Sequence, residues 1–514
     1  MRRALLSVYD KEGLIPFAQG MMEMGIELIA TSGTLKHLVE AGIIAVDISN
    51  VIGMPPILSG RIKTIHPKLH GGILADRDKI EHMTQMRNLG LVQVDIVVVN
   101  MNAFLQPDSL DELMDGIDLG GPALIRSAAR NYQHVVAVSN PEQYPVVLKR
   151  LKNKTDDEKF RANLATIAFS ATARYDAMIA SYMAARLHTH EMFPNILPGH
   201  YIREAFLPSG ENEHQRAAFY RNLMSPVNNI VGMKKTIGTE IVGATILNID
   251  MAWELVTIFK KPSAAIVRHC SVVGMAIQDT IVHAFAKAHD CDRRAAYGGL
   301  IAANRPVGEA MAQLITENEN FFEGIIAPGY DDKALEILSN HPVWGDKFQI
   351  IEMPAINNTH FAQPTLRAFR EGLLLEEEDE IEGEPSAWRI VTRVRPKEHQ
   401  LVDMAFALAI ASASRSAAAI IVKDSATLGI GSGQACLLDS IAMALSKAGT
   451  HSREAIMAID EPCLFPEAIK LAYENGISAI IQPRDSSKMA WEVIGAANEF
   501  GIPVVFCKNC HRRY

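Results

Sequence analysis

Over the first 150 residues, short and nearly continuous runs of Val, Ile, Leu and Ala alternate with segments of helical period. Residues 4–8, 26–30, 95–99 and 134–138 read as strands. Residues 11–24, with Asp10 as N-cap, and residues 35–40 read as helices. The strand runs do not alternate apolar with polar positions, so both faces of their sheet should be covered. That is the signature of a doubly wound parallel sheet in an α/β domain. Ligands of such sheets bind beyond the carboxyl ends of the strands. Here those ends carry the polar groups of residues 7–11, 31–34 and 100–102.

Beyond residue 150 the pattern turns helical up to a break at Pro194, Pro198 and Gly199. Residues 200–390 are mixed α/β. The acidic run 376–380 reads as an exposed loop. The last 120 residues again pair helices with buried-type strands at 418–422, 479–482 and 503–506. This predicts a domain over 1–150, a helical connector over 151–199 and a larger α/β region over 200–514. Two similar α/β units after residue 200, with a boundary near 375–390, remain an open option.

Length and composition agree with this division. A chain of 514 residues exceeds what one core organises. Its 48% hydrophobic and 21% charged residues are ordinary for a globular protein. The net charge of −9 argues against nucleic acid as main partner, and six scattered cysteines give no disulfide framework. Asp10-Lys11-Glu12 interrupts the apolar N-terminus too early for a signal peptide, and no run of about 18 apolar residues suggests a membrane span. The expected location is cytoplasmic.

Two segments carry candidate chemistry. Thr31-Ser32-Gly33-Thr34 lies between strand and helix, where hydroxyls and free helix N–H groups can hold a phosphate. The segment from Gly60 to Ile73 gathers Arg61, Lys63, Lys68, His66 and His70 among glycines and a proline, suited to a sugar phosphate and to proton transfer. Cys507-Lys508-Asn509-Cys510-His511 has the spacing of a haem attachment motif, but no export signal accompanies it and no zinc ligand set completes it. No catalytic metal is expected.

In order and spacing, Ser7-Val8-x-Asp10-Lys11, Thr31-Ser32-Gly33-Thr34, the Gly60–Ile73 segment and Ile117-Asp118-Leu119-Gly120-Gly121-Pro122 resemble the IMP cyclohydrolase domain of the bifunctional purine-biosynthesis enzymes that form IMP. Later segments resemble the aminoimidazole-carboxamide ribotide (AICAR) transformylase half of the same family: Gly210-Glu211-Asn212, Arg268-His269, Tyr297-Gly298-Gly299, Lys423-Asp424 and Gly429–Gln434. The resemblance implies a methylglyoxal-synthase-like domain followed by two cytidine-deaminase-like subdomains, assembled as a homodimer. It implies formyl transfer from 10-formyltetrahydrofolate to AICAR, then dehydrative closure of formyl-AICAR to IMP. It also implies catalytic roles for Lys63, Thr64, Asp118, Arg130, Arg268 and His269. Nucleotide contacts fall to Ser7, Lys11, Ser32, Gly33, Thr34, Arg61, Gly120, Gly121, Asn212, Gly298, Gly299 and Asp424.

Several positions depart from the family pattern. An expected tyrosine is Asn102, and expected lysines are Arg130 and Arg268. Arginine keeps the charge but loses lysine's proton lability and shape. An Arg-Tyr pair is Pro208-Ser209, a side-chain amide has become Ala417, and a further arginine is Leu437. Two other readings therefore stand beside the bifunctional enzyme. One is a cyclohydrolase with a degenerate transformylase scaffold, the other a silent nucleotide-binding regulator.

Overall fold

The computed structural model describes residues 2–101, 109–187, 192–223, 230–317, 320–342, 344, 347–354, 364–379, 381 and 385–513. The chain divides into two compact units, residues 1–202 with 222–224, and residues 203–221 with 225–514.

Unit 1 is built on five strands: β1 (Arg3–Val8), β2 (Glu27–Ala30), β3 (Val46–Asp47), β4 (Ile96–Asn100) and β5 (Val136–Val138). They run in the order β3-β2-β1-β4-β5, every pair parallel. Successive residues serve opposite faces, as the unbroken apolar runs require. Leu6 and Val98 join Phe17 and Val138 in one core, while Leu5, Val97 and Val99 pack with Ile29 and Leu124 in the other. The segment expected as a connector is part of this unit. Its helix Glu158–Arg186, capped by Asp157 at the Phe160 amide (2.8 Å), buries Leu164, Ala165, Ala168 and Tyr175. Ala165 and Ala168 join the core built on Leu124 and Ala128.

A hairpin, β6 (Tyr201–Leu207) with β7 (Ala217–Asn222), belongs to unit 2 except for Tyr201, Ile202 and Asn222, and unit 2 also contains one sheet of twelve strands. The first six strands of that sheet are β8 (Lys234–Ile237), β9 (Ser263–Arg268), β10 (Ser271–Ile277), β11 (Gly299–Ala303), β12 (Phe322–Ala327) and β13 (Gln349–Glu352). A separate hairpin, β14 (Thr365–Ala368) with β15 (Leu373–Glu376), follows in the chain. The other six are β16 (Arg389–Ile390), β17 (Ala419–Lys423), β18 (Ala426–Gly431), β19 (Ile456–Ile459), β20 (Ala479–Pro483) and β21 (Val504–Cys507).

Outward from the middle, the order β10-β9-β11-β12-β13-β8 is repeated as β18-β17-β19-β20-β21-β16. Strand senses repeat as well: an antiparallel hairpin, an antiparallel neighbour, two parallel steps and an antiparallel edge. The two α/β units left open by the sequence are thus one topology used twice. Each hairpin turns on two residues of positive φ, His269 (52°) with Cys270 (51°), and Asp424 (54°) with Ser425 (53°). Each turn is also gripped by a helix side chain at the equivalent position. Asn248 accepts the Cys270 amide at 2.9 Å, and Asp403 accepts those of Asp424 (3.0 Å) and Ser425 (2.7 Å).

The halves meet where β10 pairs antiparallel with β18, Ala276 opposite Ala426. Beside that pair, the buried Thr427 hydroxyl accepts the Met275 amide (2.9 Å) and donates to the Met275 carbonyl (3.1 Å). Glycines let helices lie close on these strands. A Cβ at Gly274 would strike the Ala288 carbonyl, and one at Gly429 the Ala444 carbonyl.

Gly429→Ala is therefore expected to lower stability by about 1–3 kcal/mol, the usual cost of forcing extra volume into a packed interior. Gly495→Ala, on the exposed face of the helix Lys488–Phe500 with nothing near its would-be Cβ, should raise it by up to about 1 kcal/mol. Denaturant melts of the two variants should move in opposite directions.

Candidate functional site

In unit 1 the candidate residues gather at the N-terminus of the helix Gly120–Arg130. Asp118 accepts the Gly121 amide on its Oδ1 at 2.9 Å, and its own amide donates to the Tyr175 hydroxyl at 2.9 Å. Burial and the nearby carboxylates Asp118 and Asp176 raise the Tyr175 pKa, and the Asp118 amide opposes them, so this acceptor stays a neutral phenol. Thr64 is buried, and its Oγ1 occupies the space a Cβ on Gly120 would need; a Cβ on Gly121 would meet the Asp118 carboxylate. The two glycines are thus what allows Thr64 and Asp118 to converge on the helix start, where negative charge is favoured and where Asp118 caps the Gly121 amide. Lys63 is exposed beside them, its stem over Gly60. Arg61 is exposed and pairs with Asp115 at 2.5 Å.

A second polar patch lies beyond β1 and β2. Ser32 and Gly33 are exposed in the first turn of the helix Ser32–Glu40, with Thr31 as N-cap. The Ser7 hydroxyl accepts from Thr31 (3.2 Å), and the Lys11 ammonium rests on the carbonyls of Val8 (3.4 Å) and Tyr9 (3.2 Å). Asn100, at the end of β4, clamps this loop by accepting the amides of Tyr9 and Asp10 and donating to the Asp10 carbonyl at 2.7 Å.

Some expected residues do other work. The Thr34 hydroxyl is buried and bonded to the Val8 amide (3.1 Å) and carbonyl (3.2 Å), so its side chain latches helix to strand instead of facing a ligand. Arg130 is exposed at the far end of the helix that Gly120 begins, roughly 15 Å along its axis. Within one chain it does not reach Asp118. Asn102 lies outside the described residues.

In unit 2, Arg268 ends β9 and His269 opens the turn. They line an open cleft of about 290 Å³ with Ser271, Ser432, Met443 and Lys447. The Arg268 guanidinium donates to the Ala295 carbonyl at 3.5 Å and lies against Gly298, whose would-be Cβ sits 3.7 Å from its Cζ. Gly298 (φ 77°) holds a left-handed backbone that other residues rarely adopt, with ordinary room left for a Cβ beside the guanidinium. Gly299 is buried at the start of β11, its would-be Cβ 2.8 Å from Ile266, and is a packing position. Asn212 is exposed in the turn joining β6 to β7, where it pairs with Gln215. Asp424 is not brought to His269. The two hairpins point in opposite directions across the seam, which puts Asp424 beside Gln278 (3.0 Å) at the other end of β10, about 20 Å from Ser271.

The sequence did not flag a second cleft, of about 480 Å³, lined by Cys436, Leu437, Glu461, Phe465, Asp485 and Arg512. Leu437 borders it yet is only 3% exposed and belongs to the core. Ala417 is buried too, within a segment held by Asp460, whose carboxylate accepts the Ala418 amide (2.8 Å) and the Ser416 hydroxyl. Nor is the acidic run only a solvated loop, since Asp379 holds the fully buried His511 at 2.9 Å. Cys507 is buried on β21 while Cys510 is exposed.

Comparison with known proteins adds the following. The model of the AICARFT/IMPCHase bienzyme family matches residues 128–447, and that of the MGS-like domain residues 13–123. The bifunctional purine biosynthesis protein PurH of Oceanobacillus iheyensis is 35% identical over 518 residues, covering 100% of both chains. The same protein of Thermoanaerobacter sp. is 34% identical over 519 residues, again covering 100% of both. A solved structure, that of ForH, is 32% identical, covers 36% of this chain and 98% of its own, and superposes with a TM-score of 0.35.

Tyr175→Phe should leave the Asp118 amide without its acceptor. An unmet buried donor costs about 1–3 kcal/mol, so exchange of that amide should quicken by roughly tenfold for each 1.4 kcal/mol lost. Unchanged protection would show that Tyr175 does not hold the Asp118 turn.

Proposed function

The chain belongs to the AICARFT/IMPCHase bienzyme family, and from that premise we propose which side chains carry the family's two reactions. Those reactions are the last two steps of IMP synthesis: formyl transfer to AICAR, with 10-formyltetrahydrofolate as donor, and dehydrative ring closure of formyl-AICAR.

Ring closure belongs to unit 1. The carboxamide nitrogen attacks the formyl carbon, and the resulting carbinolamine loses water. Lys63 and the Thr64 hydroxyl stabilise charge growing on the formyl oxygen. Asp118 moves the proton from the attacking nitrogen. Ser7, Lys11, Ser32, Gly33 and Arg61 hold the ribotide. The observation that carries this reading is the convergence of Thr64 and Asp118 on one helix N-terminus through Gly120 and Gly121.

Formyl transfer belongs to unit 2. The 5-amine attacks the formyl carbon and N10 of the folate leaves. His269 takes the amine proton, and Arg268 stabilises the oxyanion as a permanently charged fork. Neither reaction as written uses a metal. We place the enzyme in the cytoplasm as a homodimer. Among the described residues no helix is long and apolar enough to cross a membrane, and the exposed Phe206 and Tyr220 of the β6–β7 hairpin offer apolar surface for a second copy. A second reading keeps ring closure and loses formyl transfer. The burial of Leu437 and Ala417, where the family pattern has an arginine and a side-chain amide, favours it.

Each half-reaction is to be assayed separately, with formyl-AICAR or with AICAR plus 10-formyltetrahydrofolate. Asp118→Asn and Lys63→Ala should slow ring closure by roughly 10²–10⁴-fold and spare formyl transfer, and His269→Ala should do the reverse. Wild-type ring closure without formyl transfer would select the second reading. Full ring closure by Asp118→Asn would remove Asp118 from the mechanism.

A further inference from the structure

His70 stands in the middle of the helix Pro67–Leu74, which begins three residues after Thr64. Its Nδ1 lies 2.9 Å from the Ser127 hydroxyl on the helix Gly120–Arg130. That hydroxyl donates its only hydrogen to the Ala123 carbonyl at 2.9 Å. It can then only accept, so Nδ1 of His70 carries the hydrogen and Nε2 is bare. Nε2 is itself buried without a hydrogen-bond partner. Burial keeps the ring's pKa below the usual histidine range, with the Thr64 backbone pulling the other way, and so the imidazole is neutral at pH 7.

The same two helices are tied at a second point. Asn131 donates through Nδ2 to the carbonyls of Ile73 (2.7 Å) and Ala75 (3.0 Å). Two side-chain links thus fix the helix that follows Thr64 against the helix whose N-terminus follows Asp118. Of the two, the His70 link lies nearer Thr64 along the chain, on the helix that begins three residues after it.

We propose that His70 is a positioning residue of the ring-closing site: its hydrogen bond to Ser127 sets Lys63 and Thr64 in place relative to Asp118. The proposal rests on the reading of unit 1 as the cyclohydrolase. His70 touches no reacting atom; it acts through Thr64. The bland alternative is a histidine that merely fills space between two helices, for which any side chain of similar bulk would serve.

The test is ring closure of formyl-AICAR by the full-length protein and its variants, with thermal melts run alongside. His70→Leu keeps bulk and loses the donor, while His70→Asn can present its amide N–H where Nδ1–H stood. Ser127→Ala removes the acceptor from the other side. The leucine and alanine variants should lose roughly tenfold to a hundredfold in kcat, the scale of a misplacement near 1 Å, with KM within about twofold. His70→Asn should stay within about threefold of the wild type, and His70→Leu with Ser127→Ala should be no slower than the worse single variant. Equal rates for the leucine and asparagine variants, or losses that simply multiply, would overturn the proposal. If His70→Leu does not fold, a wild-type rate in Ser127→Ala overturns it as well. Wild-type protein that binds formyl-AICAR and leaves it unclosed would defeat the cyclohydrolase reading itself, and the proposal with it.

Discussion

The buried Thr427 hydroxyl closes the seam between the two halves of the larger unit, beside a backbone bond from the Ile277 amide to the Ser425 carbonyl at 2.9 Å. Two six-stranded sheets meet edge to edge along β10 and β18, and twist and the strand ends leave Ala276 and Ala426 as the backbone pair. Thr427 supplies what that contact lacks, meeting both the amide and the carbonyl of Met275 with a side chain that is 1% exposed. Without it, two backbone groups would lie unpaired in the interior of a sheet, at a cost of about 1–3 kcal/mol each. The glycines at 274 and 429 follow from the same constraint. Helices covering a continuous sheet must lie flat on its central strands, and any Cβ there would meet a helix carbonyl.

In unit 1 the comparable constraint is the crowding around Gly120 and Gly121. A helix start concentrates positive partial charge at one point. The side chains that would exploit it must come from elsewhere in the chain and still approach to contact. Thr64 arrives from the segment before one helix, Asp118 from the residues just before another, and Tyr175 holds the second from behind. The geometry here depends on how closely two backbone segments run.

Much of this was legible in the chain. Unbroken Val/Ile/Leu runs marked four of the five strands of unit 1 to within a residue or two, the two-residue β3 being too short to show a pattern, and the ordered motifs named Thr64 and Asp118, which the fold brings together. The remainder was hidden for physical reasons. A glycine in a motif looks the same whether it faces a ligand, takes a left-handed backbone like Gly298, or packs a strand like Gly299. A hydroxyl such as Thr34 can be drawn inward by the backbone it was expected to leave. Asp424 shares a motif style with His269, yet strand direction sends the two to opposite rims, and direction is a property of the sheet order. The duplication itself is carried by topology and by turns held from beneath at Asn248 and Asp403, with hardly any repeated letters to announce it.

The tip at His269 and Cys270 carries one more implication. Neither residue is a glycine, and left-handed backbone costs an ordinary side chain about 1–3 kcal/mol. Folding alone would prefer Asn-Gly at such a bend. Any ordinary side chain held there works against the domain's own stability, and drift of the pair toward Asn-Gly would make the fold more robust.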